Sequence, residues 1–119
     1  MQHTTIPQAV GATISSANGM QTDSESITVW TDKGVLSMKH YQDCCESVLV
    51  EDVVGDPDDL VGARILEVRE SSKQEESDYD STTWTFYHII TDKTDITIRW
   101  IGTSNGYYSE SVSCEWTSN

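Results

Sequence analysis

The stretch 40–62, HYQDCCESVLVEDVVGDPDDLVG, decides how the rest of the chain is read. Its central run, SVLVEDVV, is rich in β-branched residues and apolar in its first half, which predicts a strand buried on that side. The next eight residues carry the signals of a single helical turn. Asp56 suits the N-cap, Pro57 the first helical position, and Asp58 and Asp59 the positive end of the peptide dipoles. Gly62 supplies the stop. One short helical turn near 57–61 is therefore expected, set among strands.

Working outward, the same alternation recurs on both sides. Upstream, AVGATIS (9–15), SITVW (26–30) and VLSMKHY (35–41) read as strands, the last two joined by a hairpin loop at 31–34. Downstream, ARILEVR (63–69), WTFYHII (84–90), DITIRWI (95–101) and YYSESVSCEW (107–116) do the same. Residues 1–8 are polar and expected to be mobile. The segment 70–82, ESSKQEESDYDST, has almost no apolar content and is expected to be a flexible acidic loop. The fold expected is mainly β, with about eight antiparallel strands in a single domain over 1–119.

Three short identities recur in the same order. Val10-Gly11-Ala12-x-Ile14 matches Val61-Gly62-Ala63-x-Ile65, and Thr31-Asp32-Lys33 matches Thr91-Asp92-Lys93. Glu46-Ser47-Val48-x-x-Glu51 matches Glu110-Ser111-Val112-x-x-Glu115. Shared order and shared element context point to an internal duplication, with pseudo-repeats at 9–54 and 61–116. Each repeat would be a four-stranded meander, the two packing as a sandwich or closing as a barrel. In that arrangement the polar segments 42–46 and 105–110 occupy equivalent places and are candidates for one shared site.

The net charge is −13. Such a chain repels nucleic-acid phosphates and anionic membranes, because binding them needs Lys and Arg to release counterions. No segment reaches the roughly 20 apolar residues of a membrane span, and the first residues lack the basic and apolar regions of a signal peptide. Three cysteines, two of them vicinal, do not make a secreted disulfide framework. If Cys44 and Cys45 lie on a strand they point to opposite faces, which disfavours pairing with each other.

Candidate chemistry concentrates in the same stretch. His40, Asp43, Cys44, Cys45 and Glu46 are all possible metal ligands, yet adjacent cysteines lack the spacing of a zinc site. An EF-hand register starting at Asp56 puts Leu60 and Val61 where an oxygen ligand and a glycine are required, so it fails. A thiolate pair of Cys44 or Cys45 with His40 or His88 has no supporting signature, and no phosphate loop or nucleophile elbow is present. No metal, no cofactor and no enzymatic activity are expected.

The segments DCCESVLVED, GDPDDLVGARIL, STTWTFYHI, TIRW and SNGYYSESV together resemble a family of small bacteriophage and prophage proteins, a domain of unknown function. DCCES and NGYYSES carry the resemblance best. It implies a viral origin and a bacterial host cytoplasm, and brings no catalytic residues with it.

Between Asp43 and Asp80 thirteen acidic residues stand against three basic ones. The function expected is a non-enzymatic phage accessory protein that binds and inhibits a host protein, as an antidefence factor would. Its partner would present a basic or nucleic-acid-binding surface, contacted by Asp43, Glu46, Asp56, Asp58, Asp59, Glu75, Glu76 and Asp78. The alternative is a small-ligand site, for a nucleotide messenger or a metal. It would be built from His40, Cys44, Cys45, Arg99, Asn105, Tyr107 and Tyr108 at the duplicated loops.

Overall fold

The structure is a computed structural model and describes residues 2–77, 80–106 and 108–119, with side chains from Thr5 onward. The strands are β1 (Gln2–Thr5), β2 (Ile14–Asn18), β3 (Ser26–Thr31), β4 (Gly34–Lys39), β5 (Ser47–Val54), β6 (Ile65–Glu76), β7 (Ser81–Thr91), β8 (Asp95–Ser104) and β9 (Ser113–Ser118). Each of the eight expected strands has a counterpart, but the one expected at 9–15 begins only at Ile14 and the one expected at 107–116 begins only at Ser113. β1 is a ninth, paired antiparallel with β6, where the sequence suggested a mobile end. Two 3-10 turns, Pro7–Ala9 and Pro57–Leu60, interrupt the strands. The second is the expected one, and Asp56 caps it by accepting from the amide of Asp58 at 3.0 Å.

Period-two alternation sets which side of each strand is buried. Ile27, Val29, Leu36 and Met38 turn inward from β3 and β4, while Val68, Tyr87, Ile89, Ile96, Ile98 and Trp100 turn inward from β6, β7 and β8. Together they form one core between two open sheets, so the architecture is a sandwich and not a barrel.

The sheets are not the two expected meanders. Their strand orders are β1-β6-β7-β8-β5 and β2-β3-β4-β9. Each takes three consecutive strands from one half of the chain and a fourth from the other half, and β1 extends the larger sheet beside β6. Seven residues, 40–46, separate β4 from β5, and eight, 105–112, separate β8 from β9. Both connections carry the chain across the sandwich instead of turning it back, which exchanges the fourth strands.

The segment 70–82 also differs from expectation. β6 runs through Glu76 and pairs with β7 in register up to Glu76 opposite Ser81, so most of the segment is a long hairpin. Ser72 to Ser77 are exposed while Ser71 and Ser81 are buried, and the β7 partner supplies the main-chain hydrogen bonds a loop would lack.

The two halves carry matching local structure at the repeated triplets. Thr31 Oγ1 donates to the Gly34 carbonyl at 2.7 Å, and Thr91 Oγ1 to the Thr94 carbonyl at 2.6 Å. Gly11 and Gly62 both take positive φ, 88° and 81°, where a side chain would be strained. Their amides donate to the carbonyls of Ile65 and Ile14, each reaching into the opposite half.

Candidate functional site

The strand exchange gives the sandwich two different ends. At one lie the β3–β4 and β7–β8 turns and both 3-10 turns. At the other lie the crossing connections 40–46 and 105–112, beside the turn between β6 and β7.

At this crossing end stand two buried glutamates from the repeated Glu-Ser-Val triplet. Glu46 is 4% exposed and Glu110 is 5% exposed. Glu46 is fully bonded: its Oε2 meets His40 Nε2 at 2.6 Å and the Asp43 amide at 2.9 Å, and its Oε1 accepts from the Cys44 amide at 2.8 Å. The hydrogen bond from His40, with those amides, holds the carboxyl down at about 2. His40 Nδ1 in turn reaches the Ser111 carbonyl at 2.7 Å, tying one crossing connection to the other.

Glu110 is built differently. Its Oε1 accepts from Ser81 Oγ at 3.0 Å and from Thr83 Oγ1 at 2.7 Å, while its buried Oε2 has no partner among the described residues. Its backbone lies directly on β8. A Cβ added to Gly102 would stand 2.7 Å from Glu110 Cβ and 2.8 Å from its carbonyl oxygen, so only glycine permits this approach. Gln74, Thr83, Tyr108, Ser109, Glu110 and Ser111 are among the residues that line a hollow of about 270 Å³ at this position. A second hollow, between Cys45, Asp80, Asn105 and Tyr108, draws on both crossing connections.

The structure thus brings together His40, Asp43, Cys44, Cys45, Glu46, Asn105 and Tyr108, with Glu76 at the end of β6, whereas Glu75 shares an outer-face hollow with Arg99. It separates the rest. Asp56, Asp58 and Asp59 lie at the opposite end of a body 46 Å long, so the acidic residues do not form one face. Arg99 is on the outer face of the larger sheet, 2.6 Å from Glu51 and 4.0 Å from Asp52. Asp78 and Tyr107 lie outside the described residues. Glu46, expected as a contact residue, is instead a buried anchor. Cys44 and Cys45, expected to stay apart, are joined as a disulfide; they lie in the connection before β5, where strand alternation does not apply.

Glu110 was missed by reasoning from sequence. Its signal was the repeat itself, since it is the counterpart of Glu46. Among the described residues no group of three His, Cys, Asp or Glu is placed to hold a metal ion. No described helix is long and apolar enough to cross a membrane.

Fold and site define an all-β sandwich with exchanged strands and a buried glutamate on each crossing connection at one end. The chain belongs to the family described as a domain of unknown function (DUF7448), whose model matches residues 7–114. No curated protein and no solved structure matches it.

Proposed function

We propose that this chain is a non-enzymatic phage accessory protein that binds a basic host protein through the crossing end of the sandwich. One observation carries the reading: both crossing connections, each held by a buried glutamate, present their polar side chains at the same end. Glu25, Asp43, Glu76 and Asp80 are exposed around it and add to the field of a chain at −13. Such a field steers positively charged partners and repels phosphate backbones. Inhibition follows if the covered surface is the partner's own nucleic-acid site, which is how an antidefence factor in a bacterial host cytoplasm would act.

The test is capture from host lysate at low and high salt, comparing two variants. Neutralising Asp43, Glu76 and Asp80 together should abolish a salt-sensitive interaction. Neutralising Asp56, Asp58 and Asp59 at the other end should leave it largely intact. Equal loss from both variants, or binding indifferent to salt, would overturn the reading.

A second reading, a small ligand held between the connections, is favoured by the hollow between Cys45, Asp80, Asn105 and Tyr108. Asp80 and Asp43 make that hollow unfavourable for a phosphorylated messenger, so the ligand would be neutral or cationic. A ligand-induced rise in melting temperature that Tyr108→Ala removes would support it; no rise across such ligands would end it.

A further inference from the structure

We infer that the outer face of the larger sheet is where two copies of this chain pair. The inference stands apart from whatever the crossing end binds. A sheet with one face on the core alternates polar residues to its other face. Here the outward positions of β5, β7 and β8 carry Leu49, Ile101, Trp84, Phe86 and Ile90, all half-buried, and Val54, which is 61% exposed. Trp84 and Phe86, two apart on β7, line a hollow of about 470 Å³ with Lys73 and Glu75 from β6 and with Arg99 and Glu51 from β8 and β5. From Thr82 to Ile90 and across four strands, this face covers roughly 600 Å² before side-chain relief is counted. A standard interface takes roughly 800 Å² of accessible surface from each partner, so the face is large enough.

Charge and register select a second copy as the occupant. A chain at −13 repels its own kind. On this face the repulsion is least, because Lys73 and Arg99 offset Glu51 and Glu75 around the hollow. Among the described residues, every ion pair of Lys or Arg with a carboxylate lies here: Arg69–Glu67, Lys73–Glu75, and Arg99 with Glu51 and Asp52. The rows of the sheet are also self-complementary. Lys73, Trp84, Ile101 and Leu49 form one row across β6, β7, β8 and β5, and Phe86, Arg99 and Asp52 lie in the next, with the bulge residue Glu51 between the two rows. A two-fold axis along the seam of β7 and β8 lays β7 over β8, and β6 over β5, of the other copy. Trp84 then covers Ile101, Phe86 meets the Arg99 guanidinium, and Lys73 comes within reach of Glu51, each contact being made twice. Because that axis runs along the strands, both crossing ends point the same way, and the pair presents two of them side by side.

Analytical ultracentrifugation tests this. Across the micromolar range the unmodified protein should sediment with twice the mass of one chain. Lys73→Glu and Glu51→Lys each set like charges together at both of their contacts, and each should weaken pairing at least tenfold. An equimolar mixture of the two variants restores opposite charges at both contacts and should pair again. Lys39→Glu makes the same change in net charge at an exposed position of β4, on the smaller sheet, and should leave pairing intact. A single-chain mass throughout, an assembly larger than a pair, pairing that neither variant weakens, equal loss in Lys39→Glu, or no recovery in the mixture would overturn the inference. The first mass is read on the unmodified protein, so the inference can fail without any variant being made. Failure here would leave the acidic-end reading standing, since one chain carries a whole crossing end.

Discussion

Asp32 and Asp92 sit on opposite sides of one backbone bridge and make the same pair of bonds. Asp32 Oδ1 accepts from the Thr13 amide at 2.8 Å and Asp92 Oδ1 from the Arg64 amide at 2.9 Å. Each aspartate amide returns a bond to the carbonyl of that same residue, at 3.1 Å in both cases. Thr13 and Arg64 themselves face each other across the bridge, so two hairpin turns are pinned to the line where the halves meet.

Either Asp32→Ala or Asp92→Ala should therefore cost about 1.5–3 kcal/mol, the range for a hydrogen bond to a charged group. The asparagine variants, which keep an accepting oxygen, should cost less. Because both bonds flank one bridge, the double variant should depart from additivity by roughly 0.5 kcal/mol or more. Urea denaturation of the four single variants and the double decides it; single losses near zero would show that the turns hold without these contacts.

The His40–Glu46 pair predicts how the fold meets acid. Glu46 is held at about 2 in the folded protein against an ordinary 4.5, chiefly by the hydrogen bond from His40. A carboxyl with a depressed folded value contributes stability that is complete above its unfolded value. That contribution is lost as pH falls from about 4.5 through about 2. Melting temperature measured from pH 6 to pH 2 should fall more steeply in the unmodified protein than in Glu46→Gln. Parallel curves would mean the carboxyl titrates alike in both states.

Much of this architecture was legible because alternation speaks locally. The hairpins Ser26–Lys39 and Ser81–Ser104 follow from period-two runs and turn residues a few positions apart. The capped turn at Pro57 follows from Asp56 and Gly62. What alternation cannot say is which sheet receives a strand after a polar connection. Seven residues at 40–46 can turn back or cross, and burial decides between them. β1 was invisible for a related reason: four polar residues become a strand only because β6 offers an open edge. The segment 70–76 has loop composition and is a strand because β7 pairs with it. Glu110 was hidden in plain view, since acidic residues are abundant and burial alone sets this one apart.

Cysteine chemistry offers an independent check on the crossing end. Cys114 is half-buried in β9, and burial pushes its thiol up to about 12, with nearby Glu70 and Glu115 adding to the effect. Thiolate is the reactive form, so iodoacetamide at pH 8 should label Cys114 very slowly in the folded protein. Unfolded without reductant, the chain should take one label, at Cys114, because Cys44 and Cys45 are joined. After reduction it should take three. Mass spectrometry of the intact chain counts the labels directly, and three labels without reductant would show the vicinal pair to be free.

The close approach at Gly102 separates the crossing connection from ordinary loop packing. A methyl group there would stand within 3 Å of Glu110 Cβ and carbonyl oxygen, and it also meets Val48 at 3.2 Å. Two of those three atoms belong to one residue of the 105–112 connection, so relief requires that connection to lift off β8. Gly102→Ala should then cost about 1–3 kcal/mol, as overpacking of a tight contact does. It should also break the hydrogen bonds from Ser81 and Thr83 to Glu110. Gly106→Ala is the internal comparison. It lies in the same connection with φ 95° and nothing within 4 Å, so its cost is backbone strain alone, about 1 kcal/mol. Hydrogen exchange should show Glu110 and Val112 amides opening in Gly102→Ala but not in Gly106→Ala. If both variants open them alike, the connection is held by its own turn and not by contact with β8.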